Sequence, residues 1–204
     1  MREHEHRHAP RSDEKIHSYY QMLGLAIKEL LIEKGIITPG EIRAMIEQRD
    51  SITPAMGAKI VARAWIDPAY RQRLMKDGSE AIGEFGLDMA TTRLVVVENT
   101  RAVHNVIVCT LCSCYPRNVL GLPPSWYKNR EYRARAVREP RAVLAEFGTH
   151  LPDDVEVRVH DSTADMRYLV LPMRPVGTEH MSEGELAGLV TRDCMIGVSL
   201  PAAG

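Results

Sequence analysis

Long apolar runs are missing from this chain. No stretch approaches twenty apolar residues, and no apolar h-region stands near the N-terminus, so neither a membrane span nor secretion is indicated and a cytoplasmic location is expected. Charge of one sign is missing as well: Lys and Arg total 26 and Asp and Glu 27, for a formal net charge of -1. That balance gives no global field to gather DNA, RNA or an acidic membrane. There is no internal repeat, and cysteine is scarce. Four residues in 204 do not make a disulfide scaffold. Hydrophobic residues at 45% and charged residues at 26% are ordinary for a globular protein, and the length suits one domain with an extension or two small lobes.

What cysteine there is lies crowded. Three of the four fall within six residues, as Cys109-x-x-Cys112-x-Cys114 in the stretch VCTLCSCYP. In a reducing compartment such crowding points to metal or redox chemistry.

The flanking sequence divides into three parts. Residues 1–11 carry His4, His6 and His8 among charges and read as a disordered, solvated terminus. From Ser12 the apolar positions Ile16, Tyr20, Leu23, Ile27, Leu30 and Leu31 recur at helical spacing, with Gly35 as a stop. Thr38-Pro39-Gly40-Glu41 reads as a cap with a capping-box Glu, and Thr53-Pro54 and Asp67-Pro68 repeat the device. Helices are expected over about 13–34, 39–49, 54–65, 68–76 and 79–84, making 12–88 a helical arm. An α/β domain is expected over 89–204. There Arg93 to Glu98 and Val103 to Val108 are β-branched runs suited to buried strands, and the cysteines begin where the second ends. Gly121-Leu122-Pro123-Pro124 fixes the exit from the cluster, and helices follow over 129–138 and from Pro140 to Phe147. Val155 to Val159 and Arg167 to Leu171 read as a strand pair. Ser182 with Glu185 opens a helix to about 190, and Met195 to Leu200 reads as a last strand.

What can three cysteines at this spacing hold? A structural zinc site or a four-cysteine iron–sulfur cluster lacks its fourth ligand, since Cys194 is far along the chain and His104 lies upstream. A Cys112–Cys114 disulfide spans one residue and is strained. A C-x-x-C redox pair leaves one cysteine over. Three unrelated core cysteines seldom fall so close. The remaining arrangement uses the backbone. The sulfurs of Cys112 and Cys114 and the amide nitrogens of Ser113 and Cys114 close five- and six-membered chelate rings around one ion, and Cys109 caps the plane. Deprotonated amides demand a strongly polarising trivalent ion, and thiolates favour iron or cobalt. The sixth position is then open to water or substrate.

The stretch VCTLCSC followed by VLGLPPSWYK, then YRARAVREPRAVLAEFG and RYLVLPMRPVGTE with ELAGLVTRDCMIGV, resembles the α subunit of nitrile hydratase over about residues 15–200. The resemblance implies an enzyme that adds water across a carbon–nitrogen triple bond, as an αβ or α2β2 complex. It implies an α/β (α+β) fold, a four-layer α-β-β-α domain behind a helical N-terminal arm that embraces the β subunit. Cys109 matches the axial ligand, Cys112 the ligand oxidised to sulfinic acid and Cys114 the one oxidised to sulfenic acid, with Ser113 and Cys114 supplying amide nitrogens. Cys112, Ser113 and Cys114 are thereby the candidate catalytic group. Thr110 stands where cobalt members carry Thr, so the resemblance implies Co3+, one per αβ unit, with iron as the alternative. β-subunit arginines on the sulfur oxygens and a cobalt-delivery activator protein are implied too. The nucleophile, sulfenate oxygen or water activated at the metal, stays open, as do the nitriles accepted.

The chain departs from the family at Arg117, where a tryptophan is common. A guanidinium suits an anion, which raises the related thiocyanate hydrolase γ subunit as a second reading; a side chain turned to solvent or partner is the plain one. A non-catalytic metal or redox module is a third reading. Asp161, Ser162 and Arg167 are candidates for supporting the ligands from behind, or for a surface ion pair. Trp126 and Tyr127 read as core or interface anchors, Cys194 as a buried apolar residue, and His104, His150 and His160 as structural histidines.

Overall fold

The computed structural model describes residues 19–112 and 114–202. The readings made for residues 1–11, with His4, His6 and His8, and for Ser113 lie outside the described residues. The chain divides into two compact units, one ending at Glu47 and one running from Gln48.

Helix α1 (Tyr19–Glu33) and helix α2 (Pro39–Ser51) bury no residue. The capping box read from Thr38 and Glu41 is formed: Thr38 N–H and O–H donate to Glu41 Oε2 at 2.7 and 2.9 Å, and Glu41 N–H donates back to Thr38 Oγ1 at 3.2 Å. Apolar side chains of these helices stay in solvent, among them Tyr19, Tyr20, Ile27, Leu30, Met45 and Ile46.

The second unit opens with α3 (Pro54–Ile66), α4 (Pro68–Lys76) and α5 (Gly78–Ala81), the last continued by a 3-10 turn to Phe85. Asp67 caps α4 by accepting from the N–H groups of Ala69 and Tyr70, both at 3.0 Å. These helices bury Ile60, Val61, Tyr70 and Leu74 in the same core as the strands. Strands β1 (Arg93–Glu98), β2 (Val103–Val108), β3 (Glu156–Asp161) and β4 (Met166–Leu171) form two parallel pairs, β1 with β4 and β2 with β3. The strand runs at 155–159 and 167–171 are therefore not partners of each other. Each crosses over to a strand of the preceding half, as parallel pairing requires a long connection.

The sequel is helical: α6 (Arg117–Leu120), α7 (Ser125–Lys128), α8 (Arg130–Arg138), α9 (Pro140–Glu146), α10 (Glu183–Gly188) and α11 (Arg192–Ile196). Helices α4 and α5 cover β1, the two sheets meet through β2, and α8 and α9 cover β2 and β3. The result is the expected mixed class in an α-β-β-α order. The last strand expected at Met195–Leu200 is replaced by α11. Thr191 Oγ1 accepts from Cys194 N–H to start it, and Gly197 ends it at φ +90. A Cβ on Gly197 would meet the Asn105 carbonyl oxygen at 2.0 Å, so only glycine lets the helix end approach β2.

A file of polar groups threads this core. His160 Nε2 lies 2.8 Å from Asn105 Oδ1, and Asn105 Nδ2 donates to Asn99 Oδ1 at 3.0 Å. Asn99 Nδ2 lies 3.2 Å from His104 Nδ1, and His104 Nε2 lies 2.7 Å from the Gly197 carbonyl. An amide NH2 only donates, so His104 Nδ1 accepts and its Nε2 carries the proton.

Candidate metal centre

Strand β2 is buried along five of its six residues and delivers the chain to the surface in one step. Cys109 is still buried at 1% exposure, whereas Leu111 at the tip is 90% exposed, Cys112 is exposed and Cys114 half-buried. A rigid strand thus ends in an exposed loop, an arrangement suited to a functional site.

The loop brings the three sulfurs together. All three Sγ atoms lie within 4.8 Å of one another, with 3.4 Å from Cys109 to Cys112 and 3.2 Å from Cys112 to Cys114. A covalent S–S bond is about 2.05 Å, so no disulfide joins these three cysteines. The N–H of Cys112 points at Cys109 Sγ, 3.3 Å away. Cys194 belongs elsewhere: it is buried in α11 between Thr191 Oγ1 (3.1 Å) and Ser199 Oγ (3.3 Å), as an unremarkable core residue.

Neighbouring elements grip the loop. Register places Val108 opposite Asp161, and the Asp161 carboxylate accepts from Thr110 N–H at 2.9 Å and Thr110 O–H at 2.5 Å. Ser162 N–H donates to the Val108 carbonyl at 2.7 Å. From the other side Tyr127 O–H donates to the Cys114 carbonyl at 2.9 Å, Tyr132 O–H to the Ile107 carbonyl at 2.9 Å, and Arg133 Nη1 to the Thr110 carbonyl at 3.3 Å. Burial pushes both phenols well above the usual tyrosine range, so they stay donors. Arg167 binds the β3–β4 turn, donating to the carbonyls of Thr163, Ala164 and Met166. Arg117 opens α6 as an exposed residue and lines a small cavity with Ile52 and Leu122. The grip of Tyr132 and Arg133 was not read from the sequence, and Tyr127 was read only as an anchor. Their only sequence signal is a run of Tyr and Arg on a helix, which carries no spacing relation to the cysteines.

Burial, then the hydrogen bond with Cys112, pushes the Cys114 thiol up to about 12, with the Arg167 guanidinium pulling the other way. Crowded sulfurs resist ionising together, and a multivalent cation among them reverses that preference. Soft, closely set donors suit a thiophilic transition ion rather than magnesium or calcium. The donor set therefore fits a metal centre.

Comparison with known proteins agrees. The family model described as nitrile hydratase, alpha chain, matches residues 18–199. The chain belongs to the nitrile hydratase α-chain family. It is 53% identical over 194 residues to the low-molecular weight cobalt-containing nitrile hydratase subunit alpha of Rhodococcus rhodochrous, covering 94% of this chain and 92% of the relative. It is 49% identical over 191 residues to the cobalt-containing nitrile hydratase subunit alpha of Pseudonocardia thermophila, covering 92% and 94%. A solved thiocyanate hydrolase with partially modified cobalt centres superposes with a TM-score of 0.84 at 42% identity, covering 92% of each chain. Among the described residues, the Cys109–Cys112–Cys114 cluster is the group of side chains placed to hold a metal ion. No helix among the described residues is long and apolar enough to cross a membrane.

Proposed function

We propose that this chain is the α subunit of a cobalt-type nitrile hydratase, converting a nitrile and water to the amide. The observation that carries the reading is the convergence of three cysteine sulfurs within 4.8 Å at the end of β2, in a chain of this family. Cys109, Cys112 and Cys114 hold the ion through sulfur, and Ser113 and Cys114 through their amide nitrogens. Bound there, Co3+ supplies Lewis-acid polarisation of the nitrile. Oxidised to sulfinate and sulfenate, Cys112 and Cys114 would carry oxygens next to the ion, and the Cys114 oxygen would be a candidate to take a proton from the attacking water or to attack as nucleophile. Thr110 and Asp161 fix the entrance of the loop, and Arg167 places a positive charge near Cys114.

The partner is a β subunit, one per α chain or as α2β2. The apolar, solvent-facing helices before Gln48 form the surface that embraces it, since monomers seldom leave so many large apolar side chains uncovered. A cobalt-delivery activator loads the site, and the complex is cytoplasmic. The test is metal analysis and intact mass of the chain co-expressed with its β subunit. Equimolar cobalt, with the oxygens of one sulfinate and one sulfenate on the 109–114 peptide, supports the reading; zinc with unmodified thiols sinks it. Arg117 favours a second reading, thiocyanate hydrolysis, which would release carbonyl sulfide and ammonia in place of an amide. The higher identity to cobalt nitrile hydratase chains, 53% against 42%, puts nitrile hydration first.

A further inference from the structure

Three side chains from the segment spanning helices α7 and α8 reach three carbonyls of the strand-and-loop that carries the cysteines. Tyr127 lies at the start of that segment, fully buried, and its ring packs edge-on against Tyr115 with centroids 5.0 Å apart. Tyr132 stacks obliquely on it at 5.8 Å. Their hydroxyls and the Arg133 guanidinium take the carbonyls of Cys114, Ile107 and Thr110. Within the loop the Cys112 N–H faces Cys109 Sγ, and all three sulfurs gather. The carbonyls of Thr110 and Cys114 are thus taken up by side chains of α7 and α8, while the Cys112 N–H is turned to a sulfur. This polarity matters chemically. A carbonyl oxygen carries partial negative charge and would repel crowded thiolates, whereas N–H groups turned to sulfur make an anion-friendly concavity.

We infer that Tyr127 and Arg133 are positioning residues that set the cysteine loop in its metal-binding shape before any ion arrives, by holding the carbonyls of Cys114 and Thr110. Asp161 and Arg133 both grip Thr110 at the loop entrance and Tyr127 holds Cys114 at its exit, so the loop is pinned at both ends. Tyr127 is the dominant member because its hydroxyl is buried and its ring is locked among aromatic neighbours. The inference rests on the metal-site reading for its purpose, but the shape it describes belongs to the protein alone.

The experiment uses the full chain co-expressed with its β subunit, and first reads the metal-free complex. Hydrogen–deuterium exchange of the 109–115 peptide and the rate of thiol labelling are followed in wild type, Tyr127→Phe, Arg133→Met and Thr149→Val. The last removes a comparable buried hydroxyl, which donates to the Val198 carbonyl at 2.8 Å remote from the loop. Tyr127→Phe should speed exchange and labelling about tenfold, the factor that losing one buried hydrogen bond commonly brings. Arg133→Met should speed them about threefold on the same reasoning, and Thr149→Val should leave them as in wild type. Unchanged rates in both loop variants, or equal acceleration in Thr149→Val, would overturn the inference. The second arm loads cobalt and challenges with a chelator: Tyr127→Phe should lose the ion about tenfold faster than wild type. If wild type takes up no cobalt, the metal reading fails, while the exchange arm still decides the positioning role.

Discussion

Lowering the pH from 7 to 5.5 should weaken this protein through two histidines in its core. His104 and His160 both have their proton affinity lowered, chiefly by burial; the carbonyl of Gly197 opposes the shift at His104, and Arg158 adds to it at His160. Both belong to the polar file running from His160 through Asn105 and Asn99 to His104. A second proton on His104 would set an N–H against the Asn99 amide NH2, so that bond survives only with the ring neutral. The folded state therefore binds fewer protons than the unfolded chain, and stability rises with pH. The loss begins as pH falls through the unfolded value near 6.5 and ends only at the lower folded value. If His104 stays neutral across the window, the destabilisation from withholding its proton grows from about 0.15 kcal/mol at pH 7 to about 1.4 kcal/mol at pH 5.5, a loss of roughly 1.3 kcal/mol. The two histidines together then give at most about 2.5 kcal/mol, a large part of a marginal stability. Urea unfolding of the assembled complex, at fixed concentration and pH 7, 6.5, 6 and 5.5, measures this. The carboxylates titrate mostly below the window, and subtracting a His104→Gln variant removes contributions shared by both. The wild-type stability should fall faster than that of His104→Gln by up to about 1.3 kcal/mol over the range. Parallel curves would refute the claim that the fold holds His104 neutral.

Further outcomes are expected elsewhere. Cys112→Ser and Cys114→Ser should each abolish cobalt incorporation as well as hydration, measured by elemental analysis and amide release; full activity in either would remove its ligand role. Asp161→Ala deletes two hydrogen bonds to Thr110. Because the pair is exposed, the local cost should be about 2 kcal/mol at most, seen as faster amide exchange at Thr110 and Leu111 with a nearly unchanged midpoint of unfolding. Gly197→Ala forces a Cβ onto the Asn105 carbonyl and a side chain onto a left-handed φ. It should cost more than about 3 kcal/mol, and a variant as stable as wild type in urea would show that α11 can retreat from β2.

Helix starts were legible because a cap is a local event. Thr38 with Glu41, Asp67 with Pro68, and Ser182 with Glu185 each complete their hydrogen bonds within four residues. The cysteine cluster was legible for the same reason, its sulfurs being brought together by a loop of six residues. Strand pairing was not, since a β-branched run announces a strand but not its neighbour. β3 and β4 sit close in sequence, yet each pairs with a strand from the other side of the helical sequel. At Met195 a short apolar run looked alike for strand and helix, and the Thr191 cap with Gly197 was the overlooked discriminator. The grips on the loop come from 51 residues away at Asp161 and 23 at Arg133, and even the 13 from Cys114 to Tyr127 exceed any local motif.

The pairing of Val108 with Asp161 has a consequence for how the protein is made. Sliding β3 by a single residue against β2 would turn Asp161 to the opposite face and leave Thr110 ungripped. The same slip would turn Val157 and Val159 away from the face they now occupy. Strand register and the hold on the cysteine loop are therefore one condition, so a molecule whose strands settled one place off would differ from a correctly built one in its loop without any difference in composition.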